Sequence, residues 1–251
     1  MTAPVSLLAA ATSEVGLARH NNEDSAYSGR WLHAVADGLG GHAAGELASA
    51  AVIRILAAHD AETDPGSLLE VLGRAAADAN TEVARCAAED PARTGMGTTL
   101  TAILRSGDQA GLLNIGDSRA FRLRGGQLRQ VTEDHVFGNL VSNAGRMAPV
   151  LVRYLDGRPD RSPDLGLRDL RAGDRYLLCT DGLSPVVSAG AIRDVLAAAA
   201  SPGEALGRLV ALADEAGAPD NISAIVIDVR EGDGELTEPV MLGAAAAVLT
   251  G

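Results

Sequence analysis

The chain has 251 residues, 47% of them apolar, which is enough for one substantial core and fits a single mixed α/β domain. Its 33 acidic against 21 basic residues give a formal net charge of −12, which argues against a basic stripe for a nucleic-acid backbone. The N-terminus lacks the order of a secretion signal and no run approaches the ~18 apolar residues of a membrane span, so a cytoplasmic monomer with no membrane contact is expected.

Strand patterns, with β-branched residues or alternation and Gly or Asp at their ends, fall at residues 6–12, 31–36, 98–104, 109–115, 120–124, 175–180 and 222–229. Between the second and third lie two amphipathic helices. Residues 43–59 carry Leu47, Ala48, Ala51, Val52, Ile55 and Leu56 on one stripe, and residues 68–89 carry Leu69, Leu72, Ala76, Val83 and Ala87. Ser67 with Glu70, and Ser201 with Pro202 and Glu204, read as capping boxes, and Gly217 marks a helix end. Strands, two helices, a run of strands, then helices and a last strand do not alternate as a doubly wound parallel sheet does, so an α+β sandwich is expected. Residues 158–173, rich in Pro, Asp, Gly and Arg, read as a surface loop, 231–238 as a tether, and the apolar stretch 240–250 as a docked terminal helix or strand. With 2% aromatic residues the core is built from Ala, Val, Leu and Ile, and Cys86 and Cys179, which match no metal spacing, read as buried thiols.

Four aspartates sit at strand ends beside small or turn-forming residues: Asp37-Gly38, Gly116-Asp117, Asp181-Gly182 and Asp220-Asn221. Each alone is common turn chemistry. Converging on one edge of a sheet system, the four would make an all-oxygen site of the kind Mg²⁺ or Mn²⁺ favours. A glycine after Asp37 also frees the Gly38 carbonyl to act as a ligand.

Seven segments carry a resemblance: Gly16-Leu-Ala-Arg19-His-Asn-Asn-Glu23-Asp24, Val35-Ala-Asp37-Gly38-Leu-Gly-Gly-His42, Gly95-Met-Gly-Thr98-Thr99, Asn114-Ile-Gly116-Asp117-Ser118-Arg119, Thr132-Glu-Asp134-His135, Cys179-Thr-Asp181-Gly182 and Pro219-Asp220-Asn221. In order and spacing they resemble the bacterial branch of the PP2C-type, or PPM, metal-dependent Ser/Thr protein phosphatases. The resemblance implies a central β-sandwich of two antiparallel sheets flanked by helices in α-β-β-α layers, with a catalytic domain at 1–230 and a short C-terminal tail at 231–251. It implies two or three Mn²⁺ or Mg²⁺ ions. Asp37 bridges two of them, Asp181 and Asp220 complete the first site, the Gly38 carbonyl ligates the second, and Asp117 with Asp181 holds a third. Arg19 grips the substrate phosphate, while Glu23 and Asp24 order bound water or Arg19. The implied reaction is hydrolysis of phosphoserine and phosphothreonine by direct attack of a dimetal-bound hydroxide, with no phosphoenzyme, on phosphoproteins of a Ser/Thr kinase pathway.

The proton donor to the leaving alkoxide stays open. Animal relatives carry a histidine directly after Asp-Gly, but here Leu39 stands there and His42 is the nearest histidine, so a catalytic His42, a structural one and a metal-bound water as acid are alternatives. Asp134 and His135 are expected to brace the loop near the site. The segment 136–157 is shorter than the family's flap, so substrate choice cannot be carried over. A dinucleotide fingerprint, for which Gly38-Leu39-Gly40-Gly41-His42-Ala43 would qualify, fails because a second helix rather than a parallel strand follows. A pseudophosphatase would have lost a metal aspartate or Arg19, and neither is lost.

Overall fold

The computed structural model describes residues 5–40, 43–141, 147–232 and 238–247. In chain order, β1 is Val5–Glu14, β2 Asp24–Ser28 and β3 Leu32–Leu39, followed by α1, Ala43–Ala57, and α2, Leu68–Glu89. Then come β4 (Gly97–Thr98), β5 (Leu100–Ser106), β6 (Gln109–Ile115), β7 (Arg119–Arg124), β8 (Gln127–Gln130), β9 (Val136–Val141), β10 (Met147–Leu151), β11 (Asp164–Asp169) and β12 (Arg175–Cys179). The chain closes with α3 (Ala189–Ala198), α4 (Pro202–Glu215), β13 (Ile222–Glu231), β14 (Val240–Gly243) and α5 (Ala244–Ala247).

Among the described residues the strands form two main antiparallel sheets and a hairpin. One sheet has five strands in the order β1-β13-β12-β7-β8. The other has seven, β11-β6-β5-β3-β2-β14, with β4 paired to the end of β3, and β9-β10 stand apart. Alternation along each strand assigns side chains to layers. On β3, Leu32, Ala34 and Ala36 pack against the helical layer of α1 and α2, while Val35 points into the seam between the sheets. On β13, Ile222, Ala224 and Val226 face α3 and α4, and Ile225, Ile227 and Val229 face the seam. The result is the expected α-β-β-α sandwich, built largely from small aliphatic side chains. Each fully buried Leu or Ile, such as Ile53, Leu56 or Leu113, contributes about 2 kcal/mol of transfer free energy.

Several local expectations are corrected. Ser67 makes no capping bond; a short 3₁₀ turn at Pro65–Ser67, capped by Asp64, leads into α2 instead. The buried stripe of α2 runs from Leu68 through Leu72, Ala76 and Val83 to Cys86, so it is turned by one residue at each end from the Leu69 to Ala87 stripe. Within the expected loop 158–173 lies strand β11, paired with β6 from Asp164↔Asn114 to Asp169↔Gln109. As an edge strand it needs backbone pairing but little side-chain burial, which is why its composition looks loop-like. By contrast, Ser201 caps α4 as expected, accepting from the Glu204 N–H at 3.2 Å. Residues 240–243 pair with β2 and lead into α5, whose Ala244 and Ala245 are buried.

Candidate active site

The seam changes character at one end. Its middle is apolar, with Val35, Ile103, Leu112, Ala120, Leu178 and Ile225. Beyond these, Thr101 donates to Asn114 Oδ1 at 2.6 Å and to the Ser118 carbonyl at 2.9 Å, and the Thr99 and Ser118 hydroxyls lie 2.7 Å apart. The aspartates stand at this polar end. Asp37 shares the parity of Val35 on β3, and Asp24 that of Ala26 on β2, so the two, which are register partners, both face the seam. Asp181 follows β12, Asp220 precedes β13, and Asp117 lies in the β6-β7 turn. The seven-stranded sheet thus supplies Asp37 and the five-stranded sheet supplies Asp181 and Asp220.

The backbone beneath them is tightly held. Asp37 N–H donates to Thr99 Oγ1 at 2.9 Å, and its carbonyl accepts from Thr98 Oγ1 at 2.8 Å and from the Thr99 N–H at 2.9 Å. Gly38 N–H donates to the Glu23 carbonyl at 3.2 Å. A side chain at Gly38 would not fit: its Cβ would fall 2.2 Å from the Gly45 carbonyl oxygen and 2.5 Å from that of Glu23. Asn221 staples the two rims, accepting from the Glu23 N–H at 2.8 Å while its amide donates to the carbonyls of Val15 and Asn21, each at 2.8 Å.

Arg19 is half-exposed at the mouth and donates to Asp220 Oδ2 at 2.6 Å. Asp24 is nearly fully buried and accepts from the Thr180 hydroxyl at 2.7 Å. Glu23 accepts from the Asn21 amide at 3.3 Å, and its carboxylate lies against Gly45, where a Cβ would meet Oε2 at 2.1 Å. His42 lies outside the described residues. Asp134 takes a two-nitrogen grip from Arg119, at 2.9 and 2.6 Å. His135 Nδ1 accepts from the Gly116 N–H at 3.0 Å, and its Nε2 lies 3.0 Å from Asp164 Oδ2 and beside Arg153 Nη2. The pair therefore sits where it braces the turn that carries Asp117.

The electrostatics of the cluster are unfavourable for ionised carboxylates. Burial, followed by the charges of Asp24, Asp181 and Asp220, raises Asp37 well above the usual carboxylate range. Burial and Asp220 raise Asp181, which lies within hydrogen-bond reach of Asp37. Burial and Asp181 push Asp117 up to about 6, and burial pushes Asp24 to about 7 against the opposing pull of Thr180. Crowded carboxylates of this kind need either protons or a compensating positive charge. Among the described residues no three carboxylate, imidazole or thiol groups already close into a cage, so the aspartates form an open cluster. Its chemistry, a crowded set of carboxylate oxygens with no nitrogen or sulfur donor among them, fits a hard divalent cation.

Sequence reasoning missed several residues that shape this region: Asn221, Thr180, Thr99 and Ser118. All four lie inside the quoted motifs, next to an aspartate or to another motif residue. Their roles depend on cross-strand partners, such as Thr180 with Asp24, that spacing along the chain does not reveal.

An α-β-β-α sandwich with an acidic cluster at one end of its seam defines a class of metal-binding folds, and comparison with known proteins gives the family. Residues 19–220 match the family described as Protein phosphatase 2C, and the chain belongs to that family. The serine/threonine protein phosphatase PstP of Mycobacterium tuberculosis is 44% identical over 247 residues, covering 94% of this chain and 48% of PstP, so the chain spans about half the length of that relative. Protein phosphatase PhpP of Streptococcus pneumoniae is 31% identical over 240 residues, covering 89% of this chain and 98% of PhpP. The crystal structure of the PstP catalytic domain in complex with two manganese ions superposes with a TM-score of 0.83 at 45% identity, over 90% of this chain and 100% of that one.

Proposed function

We propose that this chain is a divalent-metal-dependent protein serine/threonine phosphatase. The observation that carries the reading is the convergence of Asp37, Asp117, Asp181 and Asp220 at one end of the seam, with Arg19 beside them. Family membership and the names of PstP and PhpP support the substrate class. Among the described residues no helix is long and apolar enough to cross a membrane.

In this reading Asp37, Asp117, Asp181, Asp220 and the Gly38 carbonyl hold Mn²⁺ or Mg²⁺. Bound there, the cations supply Lewis acidity, offsetting phosphoryl charge and acidifying water. The chain's own groups do the rest. Arg19, whose planar fork suits paired phosphoryl oxygens, leaves Asp220 to bind and orient the phosphate. The Thr98 and Thr99 contacts hold the Asp37 backbone still, and Asn221 keeps the Arg19 loop against the strand that follows Asp220.

The test is hydrolysis of an aryl phosphate and of a phosphothreonine peptide with Mn²⁺, Mg²⁺ or EDTA. Turnover that requires added metal and disappears in Asp37→Ala supports the reading. Equal turnover in EDTA would refute it.

A further inference from the structure

The segment Val240–Gly243 and Ala244–Ala247 lies outside the matched span 19–220 and carries no titratable side chain, yet a chain of hydrogen bonds joins it to the site. The Ala245 N–H donates to Ser25 Oγ at 3.1 Å, Ser25 Oγ lies 2.9 Å from Ser49 Oγ, and Ser49 Oγ donates to the Glu23 carbonyl at 2.6 Å. Each hydroxyl has one proton; the Glu23 carbonyl at 2.6 Å is a closer acceptor for Ser49 than the Glu46 carbonyl at 3.3 Å, so the Ser49 proton goes to Glu23, the Ser25 proton goes to Ser49, and Ser25 accepts from Ala245. Ser25, Ser49 and Ala245 are fully buried, where such a one-way chain is reinforced by mutual polarisation. Its last acceptor, the Glu23 carbonyl, also receives the Gly38 N–H.

Two further contacts pin the segment. Arg54 of α1 donates to the Ala245 carbonyl at 3.2 Å. Gly243, at φ +68°, closes so tightly on β2 that a Cβ would fall 2.2 Å from the Asp24 carbonyl oxygen and 2.6 Å from Ser13 Oγ. Burial of Ala244 and Ala245 alone would have anchored the segment; the hydroxyl chain does something more, since it ends on the peptide that holds Gly38.

We propose that residues 240–247 form a clasp that positions Glu23 and Gly38 through Ser49 and Ser25, and thereby sets the affinity of the site for a divalent cation. The proposal rests on the phosphatase reading above for its metal, but not for its hydrogen bonds. Ser25, Ser49 and Ala245 are positioning residues, because none reaches the substrate.

The experiment uses the full chain as wild type, Ser25→Ala, Ala245→Pro and Ala245→Gly. Proline removes the N–H and sets its ring Cδ toward Ser25, so it breaks the link outright, whereas glycine keeps the N–H but weakens the helix. Mn²⁺ binding is titrated by calorimetry, thermal melting is recorded without metal, and amide exchange is followed at Gly38. Ser25→Ala and Ala245→Pro should weaken Mn²⁺ about fivefold and speed exchange at Gly38. Ala245→Gly should melt lower yet bind Mn²⁺ as the wild type does. Affinity that merely follows melting temperature across the set, or wild-type binding by Ala245→Pro, overturns the clasp. Should Ser25→Ala not fold, the proline and glycine pair decides alone. Failure of the wild type to bind Mn²⁺ would overturn the phosphatase reading, and Gly38 exchange would then decide the clasp: faster in Ala245→Pro supports it, unchanged overturns it.

Discussion

Arg19 and Asp220 are joined by a 2.6 Å hydrogen bond at the mouth of the site, across 201 positions of sequence. Both side chains are substantially exposed, at 48% and 33%, so the pair adds little to folding. If Arg19 leaves Asp220 for the phosphate, then Arg19→Ala should lower kcat/KM by about 30- to 1000-fold, the worth of one or two charged hydrogen bonds, with no significant change in melting temperature. Arg19→Lys should recover part of the loss. Kinetics on a phosphothreonine peptide beside a thermal melt separate these effects, and a large fall in melting temperature with unchanged kinetics would contradict the assignment.

Asp37, Asp181 and Asp220 crowd their charges into one partly buried cluster, so removing one charge should relieve the metal-free fold. Asp181→Asn is expected to raise the melting temperature in EDTA while abolishing Mn²⁺-dependent turnover and most of the stabilisation that Mn²⁺ confers. A variant that melts lower in EDTA and still gains stability from Mn²⁺ would show that Asp181 is not a ligand.

Asp24 is held at about 7 and Asp117 at about 6, chiefly by burial, whereas both titrate near 4 in an unfolded chain. Between those limits the folded state binds more protons. The stability these groups contribute is therefore present below about pH 4 and lost as pH rises towards about 7. Metal-free wild type should lose stability from pH 5 to 7.5, and the loss should be smaller in Asp24→Asn. Mn²⁺ affinity should rise over the same interval, because protons and cation compete for the carboxylates. Melting curves with EDTA and with Mn²⁺ across that range provide the check; equal slopes for wild type and Asp24→Asn would remove Asp24 as the cause.

Asn221 is buried and makes three hydrogen bonds between the Arg19 loop and the turn that leads from Asp220 into β13. Asn221→Ala leaves the Glu23 N–H and two carbonyls without that partner and should destabilise the fold by roughly 2–4 kcal/mol. Activity should fall further than stability explains, because Arg19 loses its fixed approach. Denaturant titration together with kcat/KM, measured where both proteins are folded, tests this.

The residues 109–115 and 68–89 are bounded in the structure as the sequence indicates: the helix buries a single stripe, while the strand is buried on both faces and is set off by the turn residues Gly107-Asp108 and Gly116-Asp117. The aspartates were legible for a different reason: turn residues at the ends of strongly patterned strands stand out. Strand β2 was not legible. Its five residues are all buried, but Asp24, Ser25 and Ser28 give it a polar sequence, and their partners Thr180, Ser49 and His33 come from elsewhere in the chain. Strand β11 was hidden by the opposite circumstance, since pairing with β6 leaves Leu165 and Leu167 largely exposed. The Gly38 pocket could be anticipated from Asp37-Gly38, but not its dependence on Asn221, Ser49 and Ala245, which are distant in sequence.

Because Asp37 belongs to one sheet while Asp181 and Asp220 flank strands of the other, the acidic centre is bisected by the plane along which the two halves of the sandwich could slide. A shear of a fraction of an ångström, too small to alter secondary structure, would change the spacing of the oxygens directly. Under the phosphatase proposal, activity would gauge how Tyr176, Leu178 and Ile225 mesh with Val35 and Ile103 in the interior, away from the acidic centre. Conversely, an ion held there would work as a rivet, fastening leaf to leaf.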